Sequence, residues 1–165
     1  MEQDGLDVRR AKPSDADAIA AFVNRALRRA DAVDRQRVIE RFASVGLLVA
    51  ERDNQLVGLL GWQAENLVAR VSDLLIYPSQ ERQAARALLL TMEQNARELQ
   101  CETILLLLPT PRPVVLVEFC RGVGYEPRAY AELPKVWQEA ARDAGLKNES
   151  VLLKKLKTDR VIRPL

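Results

Sequence analysis

The apolar residues of this chain recur with two periods, one of strands and one of helices, and the two alternate along the sequence. Leu6 to Arg10 reads as a short strand. Pro13-Ser14-Asp15-Ala16-Asp17 then opens a helix, with Ser14 as its cap and Asp17 near the positive end of the helix dipole. Ile19, Phe22, Val23, Ala26 and Leu27 follow at helical spacing. A second helix is predicted over Asp34 to Ala43, with Val38, Ile39 and Phe42 inward. Three strands come next: Leu47 to Glu51, Leu56 to Gln63 and Val68 to Tyr77. The first two form a hairpin across the turn-rich Arg52-Asp53-Asn54-Gln55, and Pro78 ends the third. A long helix running to about Leu99 buries Ala85, Leu88, Leu89, Met92, Ala96 and Leu99.

Thr103 to Leu108 is a continuous apolar run, the pattern of a central strand covered on both faces. The stiff connector Pro109-Thr110-Pro111-Arg112-Pro113 leads into a helix that buries Val115, Leu116, Phe119, Cys120 and Val123 and stops at Gly124. Tyr125 to Glu132 reads as a strand. Pro134 to Ala144 reads as a helix, with Trp137, Ala140, Ala141 and Ala144 on one side and Gly145 as its stop. Ser150 to Leu156 closes the sheet, and residues 157–165 form an irregular tail. The fold class expected is therefore α/β (α+β). It is a single domain over residues 1–165, with a mixed sheet of about seven strands flanked by helices. The helix between the fourth and fifth strands is a crossover, so those strands should be parallel neighbours.

Composition narrows the chemistry. Among 165 residues there is no histidine, and the only cysteines are Cys101 and Cys120. This excludes a histidine-based triad, a cysteine zinc site and a disulfide framework, and no metal is expected. Twenty-five basic and 23 acidic residues leave a net charge of +2. Arg25, Arg28, Arg29, Arg35, Arg37 and Arg41 are interleaved with Asp31, Asp34 and Glu40, the pattern of a solvated helix face. The one dense basic cluster, Lys154, Lys155, Lys157, Arg160 and Arg163, is too small to predict a nucleic-acid partner. The longest apolar run, Ile104 to Leu108, is far short of the ~20 residues a membrane helix needs. The acidic start Met1-Glu2-Gln3-Asp4 is followed by no apolar stretch and is not read as a signal peptide. A cytoplasmic location with reduced thiols is expected.

Four segments give the element order a family likeness. They are Val8-Arg9-Arg10-Ala11-Lys12-Pro13-Ser14-Asp15-Ala16, the pair Leu48-Val49-Ala50-Glu51 with Gln55-Leu56-Val57-Gly58, Leu74-Leu75-Ile76-Tyr77-Pro78, and Gly124-Tyr125-Glu126. With the strand and helix order they resemble the GNAT superfamily of acyl-CoA-dependent N-acetyltransferases, over Val8 to about Leu156. The resemblance implies that the fourth and fifth strands splay. Leu74, Leu75 and Ile76 would then offer backbone groups to the pantetheine arm of acetyl-CoA. It also implies that the next helix aims its N-terminal amides at the CoA pyrophosphate. The family loop, Gln/Arg-x-x-Gly-x-Gly/Ala, aligns with Gln80-Glu81-Arg82-Gln83-Ala84-Ala85, followed by Arg86. Gln83 stands where the first glycine belongs and would obstruct the phosphates. Glu81 adds negative charge that Arg82 and Arg86 could offset.

Direct acetyl transfer needs a base for the ammonium substrate and an acid for the departing thiolate. The family often has an acidic tyrosine four residues before the glycine–aromatic step, and here that position is Cys120. Cys120 also lies on the apolar stripe with Phe119 and Val123, so a core role is the competing reading. Tyr125 and Tyr130 are other nearby phenols. Asp73, in an otherwise apolar strand, is the candidate base, unless it faces solvent or bonds a strand edge; Glu51 reads as a surface charge. The family's asparagine after the fifth strand is missing, with Thr110 or Arg112 in its place. The resulting expectation is acetyl transfer from acetyl-CoA to a small-molecule or peptide amine. The alternative is a degenerate module of the same fold that binds a ligand or partner without catalysis. Acceptor identity and homodimer formation stay open.

Overall fold

The computed structural model describes residues 5–28, 31–108, 113–142 and 150–156. Strand β1 (Leu6–Arg10) leads through a 3-10 turn (Pro13–Asp15) into helix α1 (Ala16–Leu27). Ser14 does not cap this helix. The carboxylate of Asp15 accepts the Lys12 N–H at 2.7 Å instead, and bidentate bonds from Arg9 hold it at 2.8 and 2.9 Å. Ala16, Ile19, Ala20 and Phe22 form the buried stripe of α1. Helix α2 (Arg35–Phe42) is capped by Asp34, which accepts the Arg37 N–H at 3.0 Å.

Strands β2 (Gly46–Arg52), β3 (Gln55–Glu65) and β4 (Val68–Ile76) form an antiparallel meander. The two-residue turn between β2 and β3 places Asp53 and Asn54 at φ 54° and 68°. Side chains that bond locally tolerate this left-handed conformation, and the twist it imparts matches paired strands. Helix α3 (Arg82–Glu98) then crosses over to β5 (Thr103–Leu106), which pairs parallel to β4. Helix α4 (Val114–Gly122), strand β6 (Glu126–Ala129), helix α5 (Lys135–Ala141) and strand β7 (Ser150–Lys155) complete the order. Leu107 and Leu108 stay buried although the strand ladder ends at Leu106.

The seven-stranded sheet runs β1-β2-β3-β4-β5-β7-β6, and only the β4–β5 pair is parallel. The expected parallel, adjacent fourth and fifth strands are present. The last strand does not close the sheet: β7 lies inside it, between β5 and β6. Strand β6 is the edge beside β7, exposed at all four residues and carrying Pro127 and charges, devices that discourage further pairing. It is shorter than its sequence suggests, because Tyr130–Glu132 turns into a 3-10 helix.

Helices α3 and α4 cover one face of the sheet, meeting Leu48, Leu60, Ile104, Leu106 and Leu152 in one core cluster. On the opposite face α1 and α2 pack on β2 and β3, while Ala140 and Ala141 of α5 pack against Leu105, Val151 and Leu153. Burial of Ile104 and Leu105 in different clusters is the physical meaning of the continuous apolar run in β5. Most of the proline-rich connector, residues 109–112, lies outside the described residues, as do Ala144, Gly145 and the 157–165 tail. Among the described residues no helix is long and apolar enough to cross a membrane, and no group of ligating side chains could hold a metal ion.

Candidate functional site

The centre of the molecule is a split in the sheet. Pairing of β4 with β5 covers only Val68 to Val71, and the last bond runs from the Leu107 N–H to the Val71 C=O at 2.7 Å. Beyond that point β4 continues to Ile76 with β3 as its partner on one side only. The cause is local. Val71 faces Trp62 and Asp73 faces Gly61, so Ser72 is an extra residue, a bulge that bends the strand. The Tyr77 N–H donates to the Val57 C=O of β3 at 3.0 Å. Backbone groups alternate sides along a strand, so those of Leu74 and Ile76 turn away from β3 into the gap. Those of Leu75 turn toward β3, and Leu75 contributes its side chain instead.

Two clefts meet across this segment. One, of about 520 Å³, runs along Leu74, Leu75 and Ile76 to Ser79, Gln80, Glu81, Arg82 and Ala85 at the start of α3, with Val115, Leu116 and Phe119 of α4 as its far wall. The other, of about 540 Å³, lies between α1, α2 and the β4 bulge and contains Arg37, Arg41, Ser72 and Asp73. Leu27, Leu74, Leu75, Pro113 and Leu116 line both. Leu27 and Val115 are 45% and 52% exposed at this junction, uncovered apolar surface of the kind ligands bury.

At the start of α3, Arg52 holds both Glu81 and Gln83. The Ala85 N–H reaches the Glu81 C=O at 3.4 Å, and among the described residues the first-turn Gln83 and Ala84 amides have no backbone acceptor. The Gln83 side chain does not cover them: its Oε1 accepts from Arg52 Nη2 at 3.2 Å, and it does not line the cleft. Arg52 also neutralises Glu81 through bonds of 3.0 and 3.1 Å. Arg82 lines the cleft. Arg86 points elsewhere, into a hollow beside Glu93 and Lys154. Ala84 is fully buried in the core, and Ala85 is buried at the cleft floor.

The acid–base candidates separate. Asp73 lies in the second cleft, where its Oδ2 accepts Arg41 Nε at 3.0 Å and Nη2 at 2.6 Å. The same Nη2 donates to Ser72 Oγ at 2.8 Å. Gly61 makes this placement feasible, because a Cβ there would collide with the Asp73 carboxylate. Cys120 is fully buried in the α3–α4 core and lines neither cleft, and burial pushes its thiol up to about 12. Sequence position had set it beside the reacting centre, but the helical stripe it shares with the core turns it inward. Tyr125 is also buried, and its hydroxyl donates to Glu93 at 2.7 Å. Burial first, then the Glu93 carboxylate, pushes that phenol well above its ordinary range. The Tyr130 hydroxyl donates to the Gln138 C=O at 3.0 Å. Glu51 accepts from Arg9 at 3.2 Å, away from both clefts. Thr110 and Arg112 lie outside the described residues.

Sequence reasoning missed Arg41, Arg52 and the buried Glu93. Glu93 follows Leu89 by four residues, so it falls on the apolar stripe of α3, and that misplaced charge was the available signal. Nothing local marked Arg41, whose partner is 32 residues away.

No protein-family model and no curated protein matches the sequence. Solved structures match the fold. An N-acetylglutamate synthase from Neisseria gonorrhoeae, complexed with coenzyme A and N-acetyl-glutamate, matches at TM-score 0.65 and 18% identity over 94% of this chain; the chain spans 36% of that protein's length. The PaiA N-acetyltransferase of Thermoplasma acidophilum, in complex with coenzyme A, matches at TM-score 0.66 and 12% identity over 91% of this chain and 98% of its own. A GNAT-family acetyltransferase from Staphylococcus aureus matches at TM-score 0.67 and 12% identity, over 92% and 99%. With its sheet order, its bulged and splayed fourth strand and these likenesses over nine-tenths of its length, the chain has the fold of the GNAT N-acetyltransferases.

Proposed function

We propose that this chain transfers an acetyl group from acetyl-CoA to an amine by direct attack, with no covalent enzyme intermediate. The observation that carries the proposal is the meeting of two clefts over a β4 segment whose backbone groups lack a strand partner. An extended pantetheine arm can pair with Leu74 and Ile76 as a strand would. The positive end of the α3 dipole, with Arg82 beside it at the cleft, suits the pyrophosphate. Acetyl-CoA then occupies the first cleft and the amine enters through the second.

At the junction the amine nitrogen attacks the thioester carbonyl carbon, the C–S bond breaks, and CoA leaves as a thiolate. Asp73, which lines the second cleft, takes the proton that the amine loses. A thiol of pKa about 8.5 makes a tolerable leaving group near neutral pH without a protein acid. The burial of Cys120 and Tyr125 fits such a mechanism.

The test combines calorimetry with acetyl-CoA and a thiol-release assay over a panel of primary amines. Asp73→Asn should lower turnover by about 10²- to 10⁴-fold while acetyl-CoA affinity stays within about twofold. A chain that does not bind acetyl-CoA would refute the reading. One that binds it tightly but releases no thiol with any amine is the non-catalytic module.

A further inference from the structure

The second cleft has a chemical polarity that the transfer reaction alone does not require. Its walls are apolar side chains of α1, β2, β3, β4 and α4. Its polar groups sit together: Arg37 and Arg41 from α2, and Ser72 and Asp73 from the bulge. Arg37 and Arg41 are four residues apart, so they project from one face of α2 into the same space.

The hydrogen bonds divide this polar end into used and available parts. Arg41 spends its guanidinium on Asp73 Oδ2 and Ser72 Oγ. Among the described residues Asp73 Oδ1 has no donor. Among the described residues the Arg37 guanidinium has one ion-pair contact, a long one of 4.0 Å with Asp31, and its side chain is 52% exposed. Asp73 neutralises Arg41, and the Asp31 carboxylate, which does not line the cleft, lies 4.0 Å from Arg37, so Arg37 is the cleft cation whose guanidinium fork holds no close partner among the described residues. An amine that brings only its own positive charge offers nothing to that guanidinium. A molecule carrying an ammonium and a carboxylate matches both ends, with the ammonium on Asp73 Oδ1 and the carboxylate on the planar fork of Arg37. The rest of the cleft can be filled only by an apolar group, because any further charge would be buried against aliphatic walls.

We infer that the acceptor is a free α-amino acid with an apolar side chain, and that Arg37 selects it by binding its carboxylate. The inference rests on the proposed acetyl transfer and names its substrate class. In the reaction the ammonium first gives one proton to Asp73, the neutral nitrogen attacks and forms the amide bond, the thioester C–S bond breaks, and the second nitrogen proton passes to the departing CoA thiolate. Arg37 touches only the substrate carboxylate and sets specificity.

The experiment uses L-leucine, isopentylamine (leucine without its carboxylate), L-glutamate and L-lysine as acceptors, with wild type and Arg37→Gln. Turnover is read by thiol release. Binding of L-leucine is read separately, by calorimetry in the presence of unacetylated CoA, which cannot react. A charge-assisted bond from a half-exposed guanidinium should favour leucine over isopentylamine by about 10-fold or more in kcat/KM. Arg37→Gln should collapse that ratio toward one, mainly through KM, and glutamate and lysine should be poor acceptors. Equal use of leucine and isopentylamine, or a preference for either charged amino acid, overturns the inference while leaving acetyl transfer standing. Leucine binding that Arg37→Gln abolishes, in a protein without turnover, leaves the cleft's selectivity standing and overturns acetyl transfer. A leucine preference that survives Arg37→Gln removes Arg37 and overturns the inference.

Discussion

Removing the Lys154 ammonium should be among the most damaging single changes in this protein. Glu93 of α3 is 2% exposed, a carboxylate taken almost wholly out of water. Its oxygens accept the Lys154 ammonium at 3.1 and 3.2 Å and the Tyr125 hydroxyl at 2.7 Å. Lys154 also donates to the Val123 C=O at 3.0 Å and sits over the Tyr125 ring at 5.4 Å. One ammonium therefore joins α3, the end of α4, the entry to β6 and strand β7. In Lys154→Met the aliphatic stem is largely kept, but Glu93 remains buried with a single neutral donor. Breaking a buried pair from one side costs about 3–5 kcal/mol, and the 24% exposure of the Lys154 side chain argues for the lower end, about 3 kcal/mol. In a domain of this size that lowers Tm by roughly 6–12 °C. The assay is urea denaturation with a thermal melt on Lys154→Met, Glu93→Leu and the double variant. Removing both charges leaves no unpaired carboxylate or ammonium, so the double variant should be less destabilised than the sum of the singles. A Lys154→Met loss below about 1 kcal/mol, or costs that simply add, would refute the argument that a buried, stranded charge is what matters.

Cys120→Ala should lower stability by about 1–2 kcal/mol through lost burial, with normal turnover per folded molecule, and the native Cys120 thiol should resist alkylation until the protein unfolds. Asp15 is lowered to about 2, first by its hydrogen bonds from Arg9, so its ionised form favours the fold. That contribution is complete above the unfolded value near 4 and is lost as pH falls through about 2. With Arg9 31% exposed it is worth about 1 kcal/mol, and Asp15→Asn should flatten the melting profile across that window. Gln83→Gly should not tighten acetyl-CoA binding, because Arg52 already holds Gln83 off the α3 amides; its expected effect is a loss of up to about 1 kcal/mol in stability, and a clear gain in affinity would show that the side chain obstructs the site.

The order of elements was legible in the sequence because each carries its own local signal. The helical stripe of Ile19 and Phe22, the unbroken apolar run from Thr103 and the Asp53-Asn54 turn all depend on neighbours only a few residues away. The parallel pairing of β4 with β5 followed from the crossover between them, and a cleft along β4 and the start of α3 was expected from that pairing and the family likeness. What the sequence could not carry was the partner of each charged side chain. Arg41 meets Asp73 across 32 residues, Arg52 meets Glu81 across 29, and Lys154 meets Glu93 across 61. These pairs form only where the sheet brings distant segments together, so period and propensity do not encode them. Similar reasoning covers Cys120 and Gln83. Position along the chain set both beside the reacting centre, whereas the rotation of α4 turned one into the core and the reach of Arg52 drew the other aside. Strand order at the far edge was decided the same way: β7 could take the inner place because Val151, Leu152 and Leu153 bury on both faces, while β6, exposed throughout, could stand only outside it.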